Sequence, residues 1–431
     1  MIDGWREATI RDACLKTRQW KPKTQPRGEF FYIDVSSVSN DTYSITTPQT
    51  VTSHTAPGRA RRIVQSRDVI YATIRPTLKR IALVPPEYDD HIASTAFCVV
   101  RADRAKAIPE YLYFVLLSDA VSKAIADAQH GASYPAVTDK DILEQEITLP
   151  PLPEQKKIAA VLLKIQRAIE TQDKIIQSLR DLKKSTMQHL FTHGLRGEKT
   201  KMTEFGPIPA NWRIEILRDC ATVQTGVAKG RKIAEHEALE LPYLRVANVQ
   251  DGHLDLTEMK TIRLRQSERS RFSLQDGDVV LTEGGDFDKL GRGFVWEGQI
   301  PDCVNQNHVF AVRADCKLLR PHFLAYLAQS SYGKAYFLKI AHKTTNLACI
   351  NTTKLKRLPV PIPDRAEQDE IVASISTVDA RTFHHESKKA SLQDLFKTTL
   401  NKLMTGDIRV ADLDIDVKEV EVCPERGVLN G

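Results

Sequence analysis

The chain has 431 residues, 42% of them apolar and 27% charged, and a formal net charge of +6. This length predicts two or three domains with buried cores. No run approaches eighteen consecutive apolar residues and the first residues lack the apolar segment of a signal peptide, so we expect neither a membrane span nor a secretory signal.

The seven cysteines are scattered, odd in number and without a Cys-x-x-Cys pair. They are Cys14, Cys98, Cys220, Cys303, Cys316, Cys349 and Cys423. This pattern predicts neither a disulfide framework nor a zinc site, and it suits a reducing cytoplasm.

Positive charge is concentrated in two segments of the chain. Residues 1–80 hold 14 Lys or Arg against 7 Asp or Glu, and residues 291–363 hold 10 against 3. Residues 411–431 reverse the balance, with 2 against 6. Basic segments in a nearly neutral chain indicate local contact with a polyanion, and the alternative is an ordinary solvated surface.

Taken in chain order, short strand patterns come first and helical patterns follow, twice over. Runs rich in β-branched and aromatic residues predict strands, and runs with apolar residues every third or fourth position predict helices. The strand patterns are DVIYATI (68–74), AFCVVRA (96–102), VVLTE (279–283) and HVFAVRA (308–314), and the helical patterns are residues 108–128 and 320–341.

The stretch LPPLPEQKKIAAVLLKI (149–165) begins the first of two long helices. No Pro or Gly occurs from Glu154 to Phe191, Pro presets the start, and Gly194 is suited to end the helix. Apolar residues alternate steps of four and three, which is a heptad seam. The seam residues are Ile158, Leu162, Ile165, Ile169, Ile176 and Leu179, and Leu182, Met187 and Leu190 continue it after a slip.

The stretch LPVPIPDRAEQDEIVASISTV (358–378) begins the second long helix, which Gly406 ends. Its seam residues are Ile371, Ile375, Val378, Leu392, Phe396 and Leu403. Polar residues occupy the middle of both seams, at Thr382, His385 and Lys389 here and at Gln172 in the first helix. Asp364-Arg365-Ala366 is an insertion that starts the second helix three residues later than the first.

The two halves of the chain repeat one another. GWREATIRDAC (4–14) matches NWRIEILRDCA (211–221), and VRAD occurs at both 100–103 and 312–315. The offset between matching segments stays between 207 and 213. A fixed offset kept over several matches indicates two copies of one structural unit, each a globular part followed by a helix.

A helix of about 38 residues spans roughly 57 Å, too long to lie within one of these globular parts. Each apolar stripe therefore needs a partner, and the other helix is the obvious one. We predict an α+β protein with two mixed α/β domains separated by two long helices, which form an antiparallel coiled coil with a pseudo-twofold internal repeat. The alternative is that each helix packs on its own domain.

The predicted boundaries follow the repeat. They are residues 1–150 for the first domain, 151–198 for the central helical region, 203–363 for the second domain, 364–410 for the distal helical region and 411–431 for an acidic tail.

Several catalytic motifs are missing from the sequence. The cluster GGDFDKLGRG (284–293) lacks the spacing of a nucleotide-binding loop, and no Gly-x-Ser-x-Gly or His-Glu-x-x-His occurs. No Asn/Asp-Pro-Pro before an aromatic residue, as in a base methyltransferase, is found either. We therefore predict no catalytic residue and no metal site, and interpret the chain as a binding protein.

The sequence resembles the specificity subunit of type I restriction-modification enzymes. The features that carry the resemblance are the two Pro-x-Pro…Glu-Gln helix starts, the half-length repeat, and segments such as IRPTLKRIALV (74–84), PYLRVANVQDGHL (242–254) and LTEGGDFDKLGRGFVW (281–296). They cover nearly the whole chain except the acidic tail.

The resemblance implies that each globular part is a target recognition domain for one half of a bipartite, asymmetric DNA sequence. The helices would fix the spacing and dock two modification subunits, which carry S-adenosylmethionine and methylate adenine. Restriction subunits that use ATP and Mg²⁺ can join. The chain itself would hold no cofactor and would be no enzyme.

DNA-binding candidates are basic or amide residues in predicted loops, because Lys and Arg bind phosphates while Arg and amides can read base edges. In the first domain they are Lys21, Lys23, Arg27, Arg59, Arg61, Arg62, Arg75 and Lys79. In the second they are Lys229, Arg231, Lys232, Arg245, Asn248, Lys289, Arg292, Asn305, Gln306, Asn307, His308 and Lys343. Those in or beside the resembling segments, namely Arg231, Arg245, Lys289, Arg292 and Gln306, are the preferred candidates. For any single residue the alternative is a solvated charge or a turn-forming amide.

Two other classes of function fit parts of the sequence. A stand-alone DNA-binding repressor or a scaffold could use the coiled coil to dimerise, and a self-contained restriction enzyme could combine recognition with cleavage. Copurification with a methyltransferase subunit would favour the specificity subunit over both.

Overall fold

A computed structural model of the chain describes residues 4–21, 25–131, 133–285, 290–343 and 348–421. Its contacts divide the chain into two compact units. The first unit is Met1–Lys174 together with Glu386–Gly431, and the second unit is Ile175–His385.

The helices comprise two long ones and several short ones. In chain order they are α1 Pro109–Leu117, α2 Asp119–Asp127, α3 Asp139–Leu143, α4 Leu152–His193, α5 Leu217–Cys220, α6 Arg269–Phe272, α7 Pro321–Gln329, α8 Ser331–Ile340, α9 Thr352–Leu355, α10 Arg365–Met404 and α11 Lys418–Glu421. Within the described ranges, none has the length and apolar character that crossing a membrane requires.

The strands of the first unit form two four-stranded sheets and one pair. They are β1 Arg6–Thr9, β2 Cys14–Leu15, β3 Phe30–Ile33, β4 Gln49–Val51, β5 Ala60–Ile63, β6 Val69–Ala72, β7 Ile81–Leu83, β8 Ile92–Ser94, β9 Phe97–Ala102 and β10 Glu146–Leu149. The sheet orders are β2-β9-β6-β7 and β4-β3-β8-β5, and β1 pairs with β10. Only the β3–β8 pairing is parallel among the described strand pairs of this unit.

The strands of the second unit repeat this order. They are β11 Thr200–Thr203, β12 Gly206–Pro209, β13 Arg213–Ile216, β14 Ala221–Thr225, β15 Ala238–Leu244, β16 Lys260–Arg265, β17 Asp278–Thr282, β18 Gly284–Gly285, β19 Gly293–Val295, β20 Val304–Asn305, β21 Val309–Ala314, β22 His342–Lys343, β23 Ala348–Cys349 and β24 Pro359–Ile362. The sheet β14-β21-β17-β19 matches β2-β9-β6-β7, and β16-β15-β20 matches β4-β3-β8 with the same parallel pairing of β15 with β20.

Strand β9 shows how the sheet of the first unit separates two cores. Cys98, Val100 and Ala102 pack in the cluster that includes α1, whereas Phe97 and Val99 pack in the cluster on the opposite face. Alternation of side chains along a strand explains this division. Both faces are covered, so the strand is apolar on both sides and reads as a continuous run in the sequence.

The two helical patterns after the strands are each broken into two helices. The break between α1 and α2 falls at Ser118, and the break between α7 and α8 falls at Ser330. The hydroxyl of Ser118 donates to the carbonyl of Val115 at 2.6 Å, and that of Ser330 donates to Leu327 at 2.6 Å. Serine hydroxyls compete in this way with helical hydrogen bonding, which explains why one predicted helix is two.

The long helices have the predicted ends. Helix α4 begins at Leu152, and α10 begins at Arg365 inside the predicted insertion. Gly194 and Gly406 follow the last turns with φ of 67° and 73°, a left-handed conformation that favours glycine.

Within the first unit, the beginning of α4 packs against the end of α10. Ile158 and Leu162 share a core cluster with Phe396 and Leu403. Asp173 pairs with Lys389 at 2.7 Å, while Glu154, nearer the start of α4, pairs with Arg409 beyond the end of α10. Residue numbers therefore rise along one helix as they fall along the other, so the pairing is antiparallel.

Within the second unit, the end of α4 packs against the beginning of α10. Phe191 shares a core cluster with Ile371 and Ile375. Lys183 pairs with Asp379 at 2.7 Å. The fold therefore confirms the predicted α+β class, the internal repeat and the antiparallel pairing of the two long helices.

The predicted seam residues fall into two groups by exposure. The buried ones are Ile158, Leu162, Ile176, Ile371, Ile375, Val378, Phe396 and Leu403, and the half-buried ones are Ile165, Ile169, Leu179 and Leu392. Gln172, predicted as a polar seam residue, is 5% exposed. Leu182 differs from the prediction, because it is 49% exposed and the adjacent Lys183 contacts α10 instead.

The glutamine of each Glu-Gln motif joins a long helix to its globular domain. Gln155 is fully buried; it accepts a hydrogen bond from the backbone of Ile108 at 2.9 Å and donates to the carbonyls of Lys106 and Pro150. Ile108 immediately precedes α1, so one side chain fixes the starts of two helices.

The second Glu-Gln motif repeats these bonds. Gln368 accepts from the backbone of Arg320 at 2.8 Å and donates to the carbonyls of Leu318 and Pro363. Arg320 precedes α7 as Ile108 precedes α1. The motif is thus a structural device, because both donor hydrogens of each glutamine and one acceptor site of its oxygen bond backbone groups.

The glutamate of each motif accepts a hydrogen bond from a repeated tryptophan. Trp5 donates to Glu154 and Trp212 donates to Glu367, both at 3.1 Å. Among the residues that the structure describes, only Glu154 also has an arginine, since Arg409 donates to both of its oxygens, at 2.7 and 2.9 Å. The two equivalent carboxylates therefore differ in charge environment.

This difference moves their pKa values in opposite directions. Burial favours a higher pKa for Glu154, but the hydrogen bonds from Arg409 and Trp5 outweigh it, and the pKa lies below its ordinary value. Burial raises the pKa of Glu367 above its ordinary value, and the negative charge of Glu198 adds to the rise. Ionised Glu154 therefore stabilises its unit above the unfolded pKa, whereas ionised Glu367 destabilises its own.

We expect the same substitution at the two sites to have opposite effects at pH 7. Glu154→Gln should lower stability by about 1 to 3 kcal/mol, since it removes charge-assisted hydrogen bonds. Glu367→Gln should keep the tryptophan bond and raise stability slightly, because burial disfavours the ionised carboxylate and a neutral amide avoids that cost. Hydrogen exchange of the first turns of α4 and α10, followed by mass spectrometry, measures each effect locally.

Measurement of the same stability differences at lower pH is the control for this comparison. The difference between wild type and Glu154→Gln should disappear as pH falls through the lowered pKa of Glu154, since its stabilisation is lost there. The gain from Glu367→Gln should disappear as pH falls through the raised pKa of Glu367 to its unfolded value. Equal effects of the two substitutions at pH 7 would contradict the assigned environments.

Candidate nucleic-acid interface

Two loops of the first unit pair to form one surface. Residues 73–80 connect β6 to β7, and residues 128–138 connect α2 to α3. Val137 donates to the carbonyl of Thr73 at 2.8 Å, and Arg75 donates to that of Pro135 at 2.7 Å. We call residues 73–80 and 133–137 the paired loops of the first unit.

The paired loops expose basic, aromatic and aliphatic side chains together. Arg75 is exposed, and Tyr134 is 80% exposed. Ile74 and Leu78 are 40% and 41% exposed. Lys79 is partly buried and pairs with Asp119 at 3.3 Å. The sequence predicted Arg75 and Lys79 as candidates but missed Tyr134, since only the position of its loop opposite Arg75 draws attention to it.

The arginines around β5 differ in their availability. Arg59 is exposed, and its carbonyl accepts from Thr95 at 2.8 Å. Arg61 donates to the carbonyl of its neighbour Ala60. Arg62 pairs with Asp139 at 2.6 Å, with 17% of its side chain exposed, so its charge is already matched within the unit.

The remaining candidates of the first unit lie before β3. Lys21 is exposed. Arg27 pairs with Asp90 at 3.2 Å and has 26% of its side chain exposed. Lys23 lies outside the described residues.

The second unit pairs the equivalent loops. Ile350 donates to the carbonyl of Glu283 at 2.7 Å, and β18 pairs with β23. Arg292, which follows this loop, is half-buried. Lys289 and the side chain of Lys343 lie outside the described residues.

A second contact in this unit joins the loop after β14 to the segment before β21. Val227 donates to the carbonyl of Asn305 at 2.8 Å and accepts from Asn307 at 3.0 Å. A Cβ atom on Gly226 would lie 1.8 Å from the carbonyl oxygen of Asn305, so only glycine permits this approach.

Exposed and half-buried candidates surround this contact. Lys229 is exposed and lies 5.6 Å from the ring of Tyr243, and Lys232 is also exposed. Gln306 and Asn307 are half-buried. His308 is exposed, and its Nδ1 lies 2.6 Å from Glu283. The structure thus brings together candidates that are about 75 residues apart in sequence.

Two preferred candidates of the second unit bond carboxylates of that unit. Arg231 pairs with Glu268 at 2.8 Å, and this hydrogen bond raises the pKa of Arg231 and lowers that of Glu268. Arg245 lies 3.6 Å from the carboxylate of Glu258 and donates to its carbonyl at 2.7 Å. A contact of either arginine with a phosphate would have to compete with these partners.

Two amide candidates lie inside the second unit. Asn248 is 3% exposed; it accepts from the backbone of Arg245 and donates to the carbonyls of Asp255 and Glu258. Asn305 is fully buried and donates to the carbonyl of Val309 at 2.5 Å. Their amides hold turns of the domain, and burial keeps them from a base edge at the surface.

Residues shared by both halves of the chain serve the frame of the units. Arg101 of the first VRAD segment forms a two-bond pair with Asp68, at 2.9 and 2.7 Å. Arg313 of the second VRAD segment forms the same pair with Asp278, at 2.8 Å for both bonds. The exposed candidates instead lie in loops where the two halves of the sequence differ. The units therefore share a scaffold and differ in the loops it carries.

Groups that could bind a metal ion are not found in the described part of the chain, in which no cluster of three or more His, Cys, Asp or Glu has suitable geometry. Exposed lysine and arginine side chains, amides and a tyrosine on loops can bind the phosphates and base edges of nucleic acid. Hydrogen bonding to a polyanion is thus the chemistry that these surfaces support.

Comparison with known proteins gives a consistent result across sequence and structure. The family model for the type I restriction modification DNA specificity domain matches residues 2–180 and 209–393. The type I restriction enzyme MjaVIII specificity subunit of Methanocaldococcus jannaschii is 28% identical over 324 residues, which are 73% of this chain and 74% of that protein. The EcoKI specificity subunit of Escherichia coli is 22% identical over 329 residues, 73% of this chain and 68% of that protein.

Solved structures agree with these relatives. A chain from a study of complex assembly and conformational transition of the type I R-M system has a TM-score of 0.58 and 27% identity, covering 94% of this chain and 99% of that one. The type I restriction-modification S subunit from M. genitalium has a TM-score of 0.56 at 14% identity, covering 93% of this chain and 96% of that one, and shows a similar fold.

Proposed function

Because the chain belongs to the type I restriction-modification DNA specificity family, we propose that it selects the DNA target of such an enzyme, each unit reading one half of a bipartite, asymmetric sequence. The observation that carries this proposal is the shared scaffold with different loops. Two equal frames can engage DNA in the same manner, while different loops read different bases.

Affinity and sequence preference would come from different side chains. Exposed Arg59, Lys229 and Lys232 suit phosphate oxygens, which supply affinity without sequence information. Base reading requires side chains that reach the major groove, where each base pair has its own pattern of donors and acceptors. The phosphate-binding side chains predict salt-sensitive binding, because each phosphate contact adds to the slope of log affinity against log salt concentration.

The reaction itself would be performed by partner subunits. We assign S-adenosylmethionine and adenine methylation to two modification subunits, and ATP and Mg²⁺ to restriction subunits when these join. This chain would contribute the choice of sequence and no catalytic group. Its family favours this role over a stand-alone repressor, a scaffold or a self-contained restriction enzyme.

Exchange of one domain tests the proposal directly. Residues 213–362, from β13 to β24, are replaced by the corresponding segment of a relative whose methylated sequence differs in both halves. In cells that also contain the modification subunits, sequencing that detects methyladenine should find one half of the motif replaced and the other unchanged. The exchange keeps the paired strands β13 and β24 together, so we expect the hybrid chain to fold and to remain active.

Exchange of the first domain, between β1 and β10, is the matched control and should replace the other half. A motif that changes in both halves after a single exchange would contradict independent reading. A wild-type chain that directs no methylation with its modification subunits would contradict the proposed function as a whole.

A further inference from the structure

Arg75 and Gly285 occupy the same position in the two units. Arg75 donates to the carbonyl of Pro135 in the first unit, and Gly285 pairs with Ala348 in the second. The flanking bonds also correspond, since Val137 donates to Thr73 as Ile350 donates to Glu283. Both positions have positive φ, 47° for Arg75 and 150° for Gly285.

Positive φ is unfavourable for arginine and not for glycine. A residue with a Cβ atom rarely adopts this conformation, and it persists only where surrounding contacts enforce it. Lys79 in the same loop also has a φ of 47°. Backbone bonds from Leu78 to Arg75 and from Lys79 to Pro76, both 3.0 Å, hold the turn between them. Glycine occupies the corresponding place in the second unit, at a different positive φ, so the shared frame does not require a side chain there.

The surroundings of Arg75 suit DNA. Residues 73–80 and 130–137 contain Arg75, Lys79, Arg80 and His130 and no Asp or Glu. Arg80 bonds the carbonyls of Val35 and Val38 and thereby anchors the loop, whereas the side chains of Arg75 and Tyr134 are exposed. This exposed surface combines positive charge with apolar Ile74 and Leu78, a combination that suits the phosphates and base edges of DNA.

We propose that the paired loops of the first unit are its base-reading element, with Arg75 bonding a guanine in the major groove and Tyr134 donating its hydroxyl to a neighbouring phosphate. This assignment rests on the proposed function of the chain. Arginine bonds the O6 and N7 atoms of guanine through two donors, and tyrosine is a common phosphate donor. Arg75 therefore determines which base is preferred in the DNA, and Tyr134 positions the paired loops on the DNA backbone.

Three variants separate these roles from each other and from folding. Arg75→Gly introduces the residue of the second unit, which relieves the strained backbone, so its melting temperature should equal or exceed that of the wild type. Tyr134→Phe removes only the hydroxyl. Arg104→Gly removes an exposed arginine from a turn of the same unit and serves as the control.

Methylated sites are mapped in cells that contain each chain and its modification subunits, and binding of duplexes with single-base changes is measured with the assembled complex. Arg75→Gly should relax one position of one half-site, where the wild type prefers guanine by about 5- to 150-fold. Tyr134→Phe should weaken all duplexes alike and leave the motif unchanged, and Arg104→Gly should match the wild type.

Other outcomes overturn the assignment. An unchanged motif with Arg75→Gly would remove Arg75 from the DNA, and equal weakening of every duplex would make it a phosphate contact. A relaxed position with Arg104→Gly as well would show that relaxation is not specific to the paired loops. If the wild type gives no bipartite motif, the proposed function fails and this assignment with it, whereas a clear wild-type motif that Arg75→Gly leaves intact contradicts the paired loops alone.

Discussion

Replacement of Arg101 by methionine is expected to lower the free energy of unfolding of the first unit by about 3 to 5 kcal/mol, because it leaves a buried carboxylate without its cation. Asp68 is 2% exposed, and Arg101 supplies two of its hydrogen bonds. Burial already raises the pKa of Asp68 above its ordinary value despite the arginine. Urea unfolding at pH 7 measures the loss.

The pH dependence of this variant has a definite sign. Without Arg101 the pKa of Asp68 rises further, so the deficit should shrink as pH falls through that raised value toward the unfolded pKa. The double variant Asp68→Asn with Arg101→Met removes the buried charge and should recover part of the loss. A deficit that is independent of pH and equal in the double variant would show that packing, and not charge, explains the effect.

Truncation of the chain after Gly406 should destabilise the first unit by about 3 to 6 kcal/mol, because Val410 and Val420 are each 3% exposed in its core cluster and full burial of a valine contributes about 1.5 to 3 kcal/mol. The truncation also removes Arg409 from Glu154, and the carbonyl of Val420 from Arg67. Hydrogen exchange of α1 measures the effect within this unit.

Truncation after Glu421 is the control for this experiment. It keeps Arg409, Val410 and Val420, so the protection of α1 should match that of the full chain. Equal loss of protection in both truncations would show that the contacts of residues 407–421 do not stabilise the unit.

The frame of each unit could be predicted from sequence because its signals are local or repeated. Pro at the start and Gly194 at the end predict bounds for the first long helix that lie within two residues of the observed bounds of α4. The strand pattern at 308–314 contains β21 with one residue to spare. In both places the backbone conformation follows from residue types that tolerate few alternatives.

The packing of the residues after α10, from the end of the predicted distal helical region into the predicted acidic tail, could not be seen in the sequence. Val410 and Val420 lie in a segment without apolar periodicity, yet both are buried in the first unit. The partners of this segment come from residues more than 240 positions earlier, such as Glu154 for Arg409 and Arg67 for Val420. The composition of a segment indicates its average exposure to solvent, but it does not show where each side chain packs.

The sequence indicates which segments carry basic and amide side chains, but it does not show which of these side chains are exposed and available. Glu283, immediately before the glycine-rich segment, bonds His308 of the polar segment before β21. However, whether an arginine is available depends on partners distant in sequence, such as Asp139 for Arg62 and Glu268 for Arg231. The sequence does not show which amides are buried either, because Asn305 and Gln306 are neighbours and only the first is fully buried.

The buried glutamines of the two Glu-Gln motifs have a consequence for how such a protein can acquire new targets. Gln155 and Gln368 each make three hydrogen bonds, all to backbone groups, so the joints they form do not depend on which side chains the loops carry. Loop residues can therefore be replaced without loosening the attachment of domain to helix. The loop residues that read DNA and the glutamines that hold the architecture are thus separate sets. A new specificity can therefore arise in a single exchange without a compensating change elsewhere.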